Sequence, residues 1–211
     1  MAYQREGRLT STTEPIAVPD SAARSRLMSA MSTCVADVGY RATTVADVVR
    51  VARMSRRSFY EHFTDKAACF VAVLHAANNQ IIGAVAAAVD GSSPLAVQVR
   101  QAVAAYVDVN DAHPELTLSW IRELPALDEP AQELKAAAMD AWISLFVDMT
   151  STPLVAAEGV APVSRPTAIM IWGGIRELTA NSVETGTPLS AIIEPATRAC
   201  VAMLDGPPTI F

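Results

Sequence analysis

The amino-acid sequence predicts an all-α protein: a small three-helix head, joined by one long helix to a helical body, about nine helices in all. Three observations predict it. Only nine glycines occur in 211 residues, and long stretches lack glycine and proline altogether, a composition that leaves helices unbroken. Apolar residues recur at three- and four-residue spacing along most of the chain. Charge divides unevenly, with net +3 over residues 1–70 and net −9 over residues 71–211. A basic head on an acidic body fits an anionic partner for the head alone.

Residues 1–22 are polar and bear Ser, Thr and Pro; they read as a flexible tail with no apolar core of a secretory signal. Residues 23–70 form the head. Over 24–38, Leu27, Met31, Cys34, Val35 and Val38 share a helical face, and Gly39 follows as a cheap left-handed cap. Thr44 and Asp47 stand at capping-box spacing. Val45, Val48, Val49 and Ala52 then form one buried stripe of a short second helix.

The third helix opens the stretch "SRRSFYEHFTDK", residues 55–66. Ser55 caps it, and Met54 and Phe59 occupy the two positions of a hydrophobic staple. Phe59 and Phe63, four apart, share the inward face. Arg56, Arg57, Ser58 and Tyr60 therefore project mostly outward. Two arginines in a first helical turn oppose the macrodipole, a conflict that a bound polyanion resolves. Two short helices around a turn of three or four residues make a helix-turn-helix. Its second helix enters the DNA major groove N-terminus first. Arg56 and Arg57 can then reach guanine edges, with Ser58 as a shorter reader. Thr44, Tyr60, His62 and Lys66 are the candidates for phosphate. Taken singly, each of these residues also suits an ordinary solvated surface.

On these residues the chain resembles the TetR family of transcriptional regulators. "GYRATTVADVVRVARMSRRSFYEHFTDKAACF", residues 39–70, is similar to that family's DNA-binding signature, above all in its "FYEHF-x-DK" ending. The resemblance implies a homodimer whose paired heads bind a palindromic operator in double-stranded DNA. It also implies a variable helical body that binds a small-molecule effector. Arg53 stands where the family commonly has Gly, Glu61 is acidic where many members are not, and Arg57 replaces a small residue.

Residues 71–211 form the body. A long helix, 66–89, leaves the head without a linker and is broken by "DGSSP". Further helices are predicted at 95–111, 115–124 and 129–150, then a loop "STPLVAAEGVAPVSRP", then helices at 166–185 and 188–204. Ile169, Trp172, Ile175, Leu189, Ile192, Ala196, Cys200 and Met203 make the last two helices very apolar. They are the candidate dimer surface, with ordinary core packing as the other reading. Tyr106, Trp120, Met139, Trp142 and Phe146 are candidates to line an effector pocket, and they suit a plain core equally. Each buried indole N–H needs a polar partner.

No HExxH, GxSxG, P-loop or dinucleotide fingerprint occurs. Cys34, Cys69 and Cys200 are odd in number and far apart, with no metal-ligand spacing. No catalytic residue, metal or cofactor is expected. A cytoplasmic location and no membrane span are expected. The function expected is that of a ligand-responsive DNA-binding repressor. The rival is a helical small-molecule carrier or enzyme with an apolar pocket.

Overall fold

The computed structural model describes residues 20–123 and 129–204, which form ten α-helices and one 3-10 turn with no strand among them. Helix α1 (Asp20–Ala42) starts inside the span expected as tail, whose residues 1–19 lie outside the described residues. Its stripe of Leu27, Met31, Cys34 and Val35 is buried, but Val38, expected on the same face, is 58% exposed. At Gly39 the backbone turns to φ 78, ψ 159, a region essentially closed to residues with a Cβ. That kink ends the straight part of α1 where the sequence placed its cap.

Helix α2 (Val45–Ala52) carries the full capping box, Asp47 N–H donating to Thr44 Oγ1 and Thr44 N–H to Asp47 Oδ2. It stops at Arg53, whose φ of 52 and ψ of 48 are left-handed, costing a residue with a Cβ about 1 kcal/mol. Helix α3 (Arg56–His62) is capped by Ser55, which accepts from Ser58 N–H at 3.0 Å. Helix α4 (Lys66–Ala88) is capped by Asp65, which accepts from Ala68 N–H at 2.7 Å.

Two apolar cores result, and α4 belongs to both. Its Phe70 and Leu74 pack with Leu27, Met31, Val48, Phe59 and Phe63 in the head, and its Val85 packs with the body. This double duty explains why α4 is apolar enough, by length and composition alone, to cross a membrane.

The body continues with α5 (Leu95–Asp111), α6 (Pro114–Arg122), α7 (Glu129–Thr150), α8 (Pro153–Ala157), α9 (Arg165–Thr185) and α10 (Ile193–Leu204). Two expectations need correction. The segment expected as an unbroken loop contains α8, capped by Thr152 accepting from Val155 N–H, with Pro153 in its first turn. The last helix begins as a 3-10 turn, Leu189–Ile192, before continuing as α10.

A third correction concerns the proposed dimer surface. Trp172, Ile175, Leu189, Ile192, Ala196 and Cys200 are all buried in the protomer's own body core, and Met203 is half-buried against it. At 100° per residue those on α9 and α10 fall on the arcs that face α5 and α7, and Leu189 and Ile192 lie on the 3-10 turn. Of the set, Ile169 alone lies on the outer arc, at 40% exposed. With it lie Met170, Gly173, Gly174 and Leu178 on α9, and Pro195, Ala199 and Ala202 on α10.

Candidate nucleic-acid interface and body cavity

Phe59 is wholly buried, with its ring centroid 5.7 Å from that of Phe63. Because these rings anchor one side of α3, its other sides face outward. Arg56, Arg57 and Tyr60 are exposed and Ser58 and His62 half-buried, so the structure brings the predicted set together on one short helix. Arg56 has no ion-pair or hydrogen-bond partner among the described residues. Arg57 Nε reaches Glu61 Oε1 at 3.2 Å, one turn along, with the guanidinium side chain 90% exposed. Exposed pairs of this kind contribute only about 0.3–0.5 kcal/mol, so Arg57 can exchange its partner for an incoming anion at little cost. Glu61 is thereby assigned: it holds Arg57 in place.

Two predicted phosphate contacts are otherwise engaged. Lys66 Nζ donates to the carbonyls of Tyr40 and Thr43, both at 2.9 Å, and lies 4.2 Å from the Tyr40 ring centroid. It clamps the kink after α1 onto the start of α4 instead of facing solvent. Burial lowers its pKa, while Glu123 at the end of α6 pulls the other way. Thr44 spends its hydroxyl proton on Asp47 Oδ2 at 2.6 Å. These bonds hold Asp47 below the usual carboxylate range. Ser55 keeps its cap, which occupies an acceptor lone pair but leaves its proton free to donate.

Sequence reasoning missed two arginines that position this face. Arg26 Nη2 donates to Ala52 O at 2.6 Å, tying α1 to the end of α2. The Arg24 guanidinium lies 4.9 Å from the Phe63 ring centroid, a cation–π contact behind α3. Nothing in their local spacing distinguishes them from surface arginines.

In the body, a cavity of about 70 Å³ lies between α4, α5, α6, α7 and α9. Tyr106, Trp120 and Trp142 line it as expected. Phe146 lines a second cavity, of about 30 Å³, instead. Met139 borders neither; it is half-buried and packs on the body core. Between the two cavities stand Tyr106, Trp142 and Trp172, which line both. The two indoles stack at 4.0 Å between centroids, and Tyr106 meets each edge-on at 5.9 and 5.6 Å.

The polar groups of the larger cavity are mostly satisfied. Trp142 Nε1 donates to Asn78 Oδ1 at 3.1 Å. Asn110 donates to Tyr106 O at 2.6 Å and accepts from Thr117 at 2.7 Å. The Tyr106 hydroxyl is bonded to Thr179, and burial pushes its pKa up. Asn78 and Arg176 were not foreseen as lining residues, although each is a polar residue within an apolar helical run. Two acids of the body helices lie apart from this cavity: Asp140 pairs with Arg165 at 2.7 Å, and Glu123 borders a separate surface groove.

The floor of the larger cavity is also the roof of the head. Leu74 and Leu116 line the cavity and belong to the head core, and Trp120 lines it and packs against that core. At its far end, α6 is fastened to α9 by Arg122, which holds Glu177 through two bonds of 2.8 Å and Glu184 through bonds of 2.7 and 3.0 Å.

Residues 27–73 match the family model described as bacterial regulatory proteins, tetR family. Among solved structures, the fatty acid degradation regulator FadR from Bacillus halodurans is similar in fold, at 14% identity and a TM-score of 0.70, covering 87% of this chain and 99% of that one. The transcriptional regulator FadR from Bacillus subtilis, solved in complex with stearoyl-CoA, reaches a TM-score of 0.73 at 13% identity, again over 87% and 99%. A bacterial regulatory protein of the tetR family from Rhodococcus RHA1 reaches 0.68 at 19% identity, over 86% and 96%. No curated protein matches the chain in sequence.

Proposed function

We propose that the chain is a DNA-binding transcriptional regulator of the TetR type, as the family-model match over residues 27–73 supports, and that it is a homodimeric repressor that leaves a palindromic operator when its body takes up an apolar-chain effector. The observation that carries this reading is the shared wall: Leu74, Leu116 and Trp120 touch both the cavity and the head core. An occupant that displaces α4 or α6 must therefore move the base of α3.

Dimerisation supports operator reading because one recognition helix contacts too few base pairs. Paired heads engage grooves about 34–36 Å apart, one duplex turn. The outer arcs of α9 and α10 are the surface proposed for it. A Cβ added at Gly173 or Gly174 would meet nothing in the protomer, so a partner helix can approach closely there. A protein that binds chromosomal operators works in the cytoplasm.

An apolar chain as effector follows from the cavity walls, and one similar structure carries stearoyl-CoA. About 70 and 30 Å³ fall well short of the 300 Å³ or more of typical ligand pockets. A long chain has to part the Tyr106–Trp142–Trp172 wall and join the two cavities. The free energy of that rearrangement is what couples binding to head position. An effector shifts the equilibrium only by its differential affinity for the two body shapes, and about 1–3 kcal/mol is the usual scale.

The test is fluorescence anisotropy on DNA from beside the protein's own gene, with and without decanoyl-CoA or decanoate. Arg56→Ala or Arg57→Ala should cost about 1–3 kcal/mol and relax preference at one base position if that arginine reads a base. An equal loss on every sequence assigns it to phosphate. Affinity should fall steeply with salt. Apolar-chain binding with no DNA binding would favour the carrier reading.

A further inference from the structure

The larger body cavity contains one group whose hydrogen-bonding capacity is unmet. Arg176, on α9, lines it. Its Nε is buried with no hydrogen-bond partner, and no carboxylate pairs with its guanidinium among the described residues. The two nearest acids on its own helix, Glu177 and Glu184, are both held by Arg122. No carboxylate lines the cavity among the described residues. Of the buried polar neighbours, Asn110 is committed to Tyr106 and Thr117, and Asn78 to Trp142; Gln80 and His113, which also line the cavity, are exposed. Burial pulls the Arg176 pKa down from its ordinary value, opposed by the nearby Tyr106 and Glu177 and assisted by repulsion from Arg122. An arginine nonetheless stays protonated near neutral pH. A half-buried guanidinium whose Nε is buried without a partner gains from an anion that completes its bonds.

We infer that Arg176 is the reader of an anionic headgroup, a carboxylate or a phosphate, on the apolar effector, binding it inside the larger cavity while the tail runs past the aromatic wall. The geometry supports this division of labour. A space of about 70 Å³ accommodates a headgroup of a few atoms but not a chain. The apolar continuation lies beyond Tyr106, Trp142 and Trp172, where Val99, Val103 and Ile171 line the second cavity and the Thr150 hydroxyl is committed to Phe146 O. A planar guanidinium also suits both candidate anions, since its forked donors match carboxylate and phosphate oxygens. This inference rests on the apolar-effector reading above and names what that effector carries at its end.

The experiment uses four ten-carbon probes that share one tail: decanoate, decyl phosphate, decanol and decyltrimethylammonium. The chain's three tryptophans, Trp120, Trp142 and Trp172, all line this cavity, so their fluorescence reads binding directly. The full-length wild type should bind decanoate or decyl phosphate at least tenfold more tightly than decanol, with decyltrimethylammonium weakest; the tighter of the two anions identifies the source. Arg176→Met should lose that preference yet bind decanol at wild-type strength, which also shows that the variant folds. Arg176→Lys should retain part of the preference. Equal affinity of the wild type for decanoate, decyl phosphate and decanol would overturn the charge assignment and leave the apolar effector standing. An anion preference that survives in Arg176→Met would overturn it as well. Binding of none of the probes would sink both.

Discussion

Phe59→Ala is the substitution that puts most weight on the head. The ring is wholly buried and sits 5.7 Å from Phe63 and 5.4 Å from Tyr60, centroid to centroid. Truncating a buried Phe to Ala costs about 3–5 kcal/mol, against about 5–15 kcal/mol for the stability of an entire domain. The α2–α3 segment should open more easily than the protein as a whole, because α2 packs mainly on α1 and α3 mainly on α2. A loss equal to its own opening free energy leaves it half folded. A further 1.4 kcal/mol or so leaves about one head in ten folded, and a dimer that needs both heads then binds about a hundredfold more weakly. The assay is anisotropy with labelled operator DNA, paired with urea unfolding followed by tryptophan fluorescence. Trp142 and Trp172 belong to the body core and Trp120 packs against the head core, so the stacked Trp142–Trp172 pair reports on the body, and a Trp120→Phe background removes the signal nearest the head. In that background the Phe59→Ala protein should lose DNA affinity while keeping the Trp142–Trp172 signal and its unfolding midpoint for the body. Wild-type affinity in this variant would refute the anchoring argument. Collapse of the tryptophan signal at the same denaturant concentration would refute the separability of head and body.

Gly173→Leu adds a side chain where the protomer has open space, so it should leave the helix content unchanged and turn the dimer into monomer in sedimentation velocity; an undisturbed dimer would place the interface elsewhere. Asn78→Val leaves the buried indole of Trp142 without its 3.1 Å acceptor and should cost about 1–3 kcal/mol in urea unfolding. Adding Trp142→Phe should then cost less than it does in the wild type, and strict additivity would contradict the pairing. Burial pushes the Cys69 thiol up to about 12 and that of Cys200 to about 11, and it raises Cys34 as well. At pH 8 all three thiols should therefore resist a chromogenic disulfide reagent in the native protein and react together once unfolded; rapid native labelling of Cys69 would contradict its placement.

What the sequence discloses about this fold is mostly what acts over four residues. Thr44 with Asp47, and Ser55 with Met54 and Phe59, are legible because cap, box and staple are local bonds. Thr152–Pro153 was equally legible and signals α8, but the run of Ala, Gly and Pro around it reads as loop. Charge direction is a different matter. Lys66 looks like a phosphate ligand at a helix start, and only the fold brings the carbonyls of Tyr40 and Thr43, 26 and 23 residues earlier, to its ammonium. The apolar end of the chain failed for a geometric reason. Trp172 and Ile175 share their composition with Ile169 and Met170, so hydrophobicity cannot say which arc meets the protomer's own core and which is left bare. Resolving the two arcs at 100° per residue does separate them once the position of one neighbour is known. Polar residues within apolar helical runs are where composition and location disagree, and the cavity has two of them. Asn78 interrupts the apolar course of α4 and proves to be the partner of an indole. Arg176 interrupts α9 in the same way, and its Nε has no hydrogen-bond partner among the described residues. Since the same desolvation acts on both, the difference between them lies in what the fold supplies. For Asn78 the chain provides the bond, and for Arg176 the proposed source is a bound anion.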